Sequence, residues 1–158
     1  MPKAKAEAPA APIWFYHLER SSLDDVLPEL VDRCLKRAWR VLIRASDSGL
    51  LGEIDDRLWA WRDDAFLAHG RAEEPHADRQ PVLLTTEMEN PNGAQALFIV
   101  DGAELGATKG FERCMIIFDG RDEAALTSAR ARWKALKEAG ADLAYWRQSA
   151  EGSWEQAA

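Results

Sequence analysis

Several residue types that would place this chain quickly are scarce or wrongly spaced. There are two cysteines, Cys34 and Cys114, far apart and without C-x-x-C spacing. That excludes a disulfide scaffold and a cysteine-rich zinc site, and reads as two reduced, buried thiols. The three histidines, His17, His69 and His76, form no H-E-x-x-H pattern, so no metal site is expected. Glycine is missing where a nucleotide would need it. The segment ERSSLDD at 19–25, which joins the first expected strand to the first helix, has none, and no G-x-x-x-x-G-K-[ST] loop occurs anywhere. The dinucleotide and P-loop fingerprints are therefore absent, and no cofactor is expected. No Ser-His-Asp or Cys-His arrangement points to a nucleophile. Positive charge is in deficit, with 20 Lys+Arg against 27 Asp+Glu and a net charge of −7. Strong direct binding to nucleic acid, which rests on clustered cations, is not expected. No run approaches the roughly 18 apolar residues of a membrane span. With no signal-peptide core either, the expected location is the cytoplasm.

What remains is the composition of a globular domain: 158 residues, 47% hydrophobic and 30% charged. Residues 1–12 are rich in Ala and Pro and predict a disordered tail, leaving 13–158 as one domain. The run IWFYHL from Ile13 predicts a strand. Ser22 can cap a helix, with Asp25 three residues on and Leu23, Val26, Leu27, Leu30, Val31, Cys34 and Leu35 at helical spacing. Pro28 fits that helix only in or near its first turn. A second strand is expected from Trp39, making a βαβ unit. A second helix is expected from Asp47 to about Trp59, and the polar stretch 70–80 as a surface loop. Further strands are expected at Val82, Ala96, Cys114 and Asp142, with a long helix over 123–140 and a turn with an aromatic end at 151–154. The alternation predicts an α/β fold: a single Rossmann-like domain with a mostly parallel central sheet and helices on both faces.

The last long helix carries Arg130, Trp133, Lys134 and Lys137, which fall within roughly 100° of arc at helical periodicity. Glu138 stands four residues after Lys134, but Arg130 and Lys137 have no acidic residue at the i,i+4 offset, and such neighbouring cations repel one another until an anion arrives. Ala125, Ala129, Leu136 and Gly140 are expected to face the sheet, with Leu126 and Trp133 between that face and the basic stripe. Such a rim suits a peptide ending in an aromatic residue and a carboxylate. Asp119, Asp122 and Glu123 follow a strand end; capping acids are the favoured reading over a metal cluster. Gly102, Gly106 and Gly110 read as a connection. Trp59 and Phe66 are equally candidates for core and for an interface.

These residues also carry a resemblance. FYHL at 15–18, WRVLIRA at 39–45, LWAWRDDAFLAHG at 58–70 and QPVLLT at 80–85 are followed by LFIVDGAE at 97–104 and FERCMIIFDGRDE at 111–123. ARARWKALKEAG at 129–140 and YWRQSAEGSW at 145–154 complete the series. In this order, from Ile13 to Trp154, they resemble the chi subunit family of bacterial DNA polymerase III. The resemblance implies a non-catalytic accessory of the clamp loader, with a Rossmann-like fold that binds no nucleotide. It implies binding of the acidic, phenylalanine-ending C-terminal tail of single-stranded DNA-binding protein. Arg130, Trp133 and Lys134 match the positions that hold that tail, and Lys137 adds positive potential beside them. Trp133 stands where other members have Tyr, which implies a preserved pocket; Leu126 stands where some have Lys, which implies a weaker hold. A second partner, the psi subunit or clamp loader or a helicase, is implied at Trp59 and Phe66. The alternative from the residues alone is a nucleotide-binding α/β enzyme; the resemblance also leaves open an adaptor that recruits a repair helicase to single-stranded DNA-binding protein.

Overall fold

The computed structural model describes residues 11–60 and 69–158. In chain order the elements are β1 (Ile13–Leu18), α1 (Leu23–Lys36), β2 (Val41–Arg44), α2 (Ser48–Trp59), β3 (Gly70–Arg71), β4 (Val82–Thr85), β5 (Ala96–Ile99), β6 (Arg113–Asp119), α3 (Glu123–Glu138), β7 (Leu143–Gln148) and β8 (Trp154–Gln156). The strands form one sheet in the order β3-β4-β2-β5-β6-β1-β7-β8. Every pairing is parallel except β7 with β8.

A parallel sheet buries both faces, and the central strands are accordingly apolar over most of their length, with the buried polar residues His17, Arg44 and Thr85 near their carboxyl ends. Alternate residues of β1 go to opposite sides. Ile13 and Phe15 join the layer beneath α3, while Tyr16 and Leu18 join the layer beneath α1 and α2. The expected α/β sandwich is thus the observed one. β1 and β2 are not neighbours, however. β5 and β6 lie between them, so α1 carries the chain across two strands rather than closing an adjacent βαβ pair.

Local chemistry explains most element ends and corrects several expectations. Ser22 stands at the start of α1, but its side chain makes no capping bond and instead donates to Asp25 Oδ2 at 3.2 Å. Asp24 and Asp25 in the first turn and Arg33 and Lys36 in the last complement the helix dipole. Pro28 is the sixth residue of α1, deeper than the first turn. Its ring is buried, and the helix accepts the loss of one backbone donor in exchange for apolar packing. The stretch 70–80 is not simply a loop: β3 pairs with β4, and a 3-10 turn covers Ala77–Arg79. The expected aromatic turn at 151–154 leads into β8, where Trp154 pairs opposite Gln148. Pro12 already joins the sheet through its carbonyl, which accepts from the Cys114 amide at 2.9 Å.

α3 is capped by Asp122, whose side chain accepts from the Ala124 amide at 3.1 Å. It ends at Gly140, whose φ of 84° only glycine adopts freely, and there the Ala141 amide reaches back to the Leu136 carbonyl at 3.1 Å. Ala129, Leu126, Trp133 and Leu136 pack on the sheet, whereas Gly140 is exposed. Leu126 and Trp133 are only half-buried, so they lie between the buried Ala129 and the exposed stripe, as expected.

Candidate functional site

The carboxyl ends of β1, β6 and β7 meet one end of α3, and the register decides what gathers there. Phe15 pairs with Tyr145 and His17 with Arg147 across β1 and β7, and His17 pairs with Phe118 across β1 and β6. Alternation sends all of these side chains towards α3. The result is a cleft of about 680 Å³ lined by residues that include His17, Glu19, Leu126, Arg130, Trp133 and Arg147.

The floor and wall are aromatic. Trp133 meets Phe15 edge-on at 5.2 Å between ring centroids and Tyr145 edge-on at 5.4 Å. Tyr145 stacks on Phe15 at 6.3 Å. The Tyr145 hydroxyl is hydrogen-bonded to His17 Nδ1 at 2.8 Å, which fixes both rings. Burial pushes the His17 imidazole below its usual pKa and the Tyr145 phenol above its own, so both are neutral near pH 7. The other edge of the imidazole leaves no room at Gly120, where a Cβ would collide with Nε2.

The rim is cationic, but its arginines are not equivalent. Arg147 donates to both carboxylate oxygens of Glu19, at 2.8 and 3.1 Å. That hydrogen bonding holds the Glu19 carboxyl below its usual pKa. Arg121 is engaged with the Asp119 carboxylate at 2.9 Å and with the Ser21 carbonyl at 3.0 Å. Arg130 is exposed and makes no hydrogen bond or ion pair among the described residues. It is the cation of this rim left for an incoming anion.

Of the expected stripe, the structure brings Arg130 and Trp133 into the cleft, while Lys134 and Lys137 are exposed on α3 and do not line it. Trp59 closes α2, but its side chain and Phe66 lie outside the described residues. The expected reading of the acids as turn and cap residues agrees with the bonds of Asp119 and Asp122. Among the described residues no group of His, Cys, Asp and Glu could hold a metal. No helix among them is long and apolar enough to cross a membrane.

The stripe does not reveal Tyr145, Arg147, His17 and Glu19. Strand alternation could have found the first two, since 143, 145 and 147 share one face of the expected last strand. A second cleft, of about 500 Å³, opens on the α1 side of α3, between Leu18, Asp101, Phe118 and Arg132. It lies where α/β folds often place ligands, beside the glycine-free segment 19–25. Its acids are committed: Asp101 accepts from Ser46 at 2.7 Å and Asp119 from Arg121.

The family described as "DNA polymerase III chi subunit, HolC" matches residues 11–144. The chain belongs to this family. A relative from Rickettsia prowazekii (strain Madrid E), named "Probable DNA polymerase III subunit chi", is 25% identical over 111 residues, covering 66% of this chain and 67% of that protein. "DNA polymerase III subunit chi" of Pseudomonas aeruginosa PAO1 is 29% identical over 75 residues, covering 37% of this chain and 53% of that protein. The chi family match stops at Ala144, so Tyr145 and Arg147 lie just past the matched stretch. Their place in the cleft is read from β7 alone.

Proposed function

We propose that this chi-family chain is a non-catalytic adaptor of the DNA polymerase III clamp-loader complex. In this reading the α3–β7 cleft holds the acidic C-terminal tail of single-stranded DNA-binding protein. The observation that carries it is the unpaired Arg130 beside an aromatic wall of Trp133 and Tyr145. An aromatic side chain of the tail would lie on that wall, and its carboxylate would meet the Arg130 guanidinium. Charge-assisted hydrogen bonds contribute about 1.5–3 kcal/mol each when shielded, and less at an exposed rim. Lys134 and Lys137 add local potential without lining the cleft. Leu126 supplies apolar floor.

A labelled acidic peptide ending in Phe, titrated against the wild type and Arg130→Ala, tests this reading. Roughly ten-fold weaker binding to the variant is expected, from the loss of one such bond. Equal affinities would overturn the site. Attraction at an exposed rim also weakens as salt shortens the range of the field.

The second partner belongs to the same proposal. The psi subunit, the clamp loader or a helicase would dock at Trp59 and Phe66. Capture of one of these from cell extract by the wild type, and its loss with Trp59→Ala, is the expected outcome.

A further inference from the structure

At the opposite end of the sheet, on the face that carries α1, lies an arrangement that the cleft does not use. Arg113 opens β6, and its guanidinium lies over the ring of Trp14 at 3.9 Å and over that of Trp39 at 5.1 Å. Arg37, just after α1, lies over the same Trp39 ring at 4.4 Å. Trp146 on β7 continues the stack, 5.1 Å from Trp14 between centroids. All three tryptophans are half-buried and Arg37 is exposed.

Three features of this surface point outward. First, neither Arg37 nor Arg113 has a side-chain hydrogen bond or carboxylate partner among the described residues, although they share one ring. Burial holds the Arg113 pKa below its usual value, and the nearby Arg37 lowers it further. A desolvated guanidinium normally finds an acid, and two unpaired ones side by side repel each other. Second, the Trp146 indole Nε1 is buried without an acceptor. Third, the two guanidiniums and the buried indole N–H are all donors. The dipole of α1 accounts for Arg37 at its C-terminus, but not for Arg113, which arrives from a strand.

We propose that this surface docks an acidic segment of a partner protein, with Asp or Glu side chains pairing to Arg37 and Arg113. Cation–π contact does not consume the N–H donors of a guanidinium, which stay available for forked pairing to carboxylates. Single-stranded nucleic acid fits less well. Guanidiniums already lie over Trp14 and Trp39, so a base stacking on those faces would have to displace them. The chain's net charge of −7 also opposes a long polyanion.

The surface is far from the α3 cleft and does not depend on the tail-binding reading, so the two are tested separately. A short fluorescein-labelled peptide of alternating Asp and Gly, which lacks an aromatic anchor, is titrated in the Arg130→Ala background. Binding should persist there, and should fall roughly ten-fold when Arg37→Gln and Arg113→Gln are added, as expected for lost charge-assisted bonds. Arg37→Gln alone changes only an exposed side chain, so a several-fold loss with that variant guards against misfolding. Bound peptide should also change the tryptophan emission. Unchanged affinity in the Arg37→Gln variant, or tighter binding of single-stranded oligothymidine than of the peptide, overturns the proposal.

Discussion

Arg147 holds Glu19 in a two-pronged ion pair at 2.8 and 3.1 Å across the mouth of the α3–β7 cleft. The carboxylate therefore occupies a fork that an incoming anion would otherwise use. Glu19→Gln removes the charge and frees that fork with little change in shape. A tail peptide with a terminal carboxylate should bind several-fold tighter to Glu19→Gln than to wild type. Arg147→Ala should cost more affinity in the Glu19→Gln background than alone. Calorimetric titration of the four proteins reads this coupling, and strictly additive effects would show that Arg147 never meets the ligand.

Trp133 has two duties that can be separated. It packs edge-on against Phe15 and Tyr145, and it walls the cleft. Trp133→Ala should lower stability by about 2–4 kcal/mol, because an aromatic contact layer is lost from a half-buried site. Trp133→Tyr keeps a ring with a polar tip and should cost less than half as much. Urea unfolding gives the stability, and peptide titration of both variants gives the wall's share of binding.

The contrast between Trp133 and Arg147 shows what could be read from sequence. Helical periodicity alone grouped Arg130 and Trp133, because both lie on one continuous element. Strand order and register join segments far apart in the chain, and no local pattern carries them. Glu19 and Arg147 meet only because β7 inserts beside β1 rather than beside β6. Trp146 and Trp154 are half-buried and pack against the core layer beneath α1 and α2, a contact likewise set by strand order. Pro28 shows the converse limit: a local rule placed it in the first turn, and tertiary burial overrode the rule.

His17 gives the cleft a pH dependence with two opposite signs. Its folded-state pKa is depressed, chiefly by burial. The unfolded chain therefore binds the proton more readily. The His17 contribution to stability is complete above the unfolded value of about 6.5 and declines as pH falls below it. Peptide binding should move the other way. A bound carboxylate favours the imidazolium, so affinity should rise modestly as pH drops from about 7.5 towards the usual histidine range. Thermal unfolding and peptide titration across that interval check both signs. His17→Asn should flatten both curves, and an unchanged binding profile in that variant would assign the effect to another group.

Arg44 is the most constrained charge in the described structure. It is 2% exposed, and its guanidinium donates to four backbone carbonyls. The distances are 2.9 Å to Glu87, 3.1 Å to Met88, 3.1 Å to Glu104 and 2.7 Å to Leu105. One side chain thus ties the loop after β4 to the loop after β5. Among the described residues it forms no ion pair, and burial lowers its pKa against the weaker pull of Glu89 and Glu104, yet the four carbonyl dipoles make the cation tolerable. Arg44→Met preserves most of the volume but leaves those carbonyls without their donor. It should destabilise the fold by about 3–5 kcal/mol, the range for breaking a buried charged network. Arg44→Lys keeps the charge but cannot span both loops with a planar fork, so it should recover only part of that loss. Hydrogen exchange should report faster opening at residues 86–90 and 101–106 in both variants, while the α3–β7 cleft, built on β1, β6 and β7 rather than on β2 and its loops, keeps its affinity for the tail peptide.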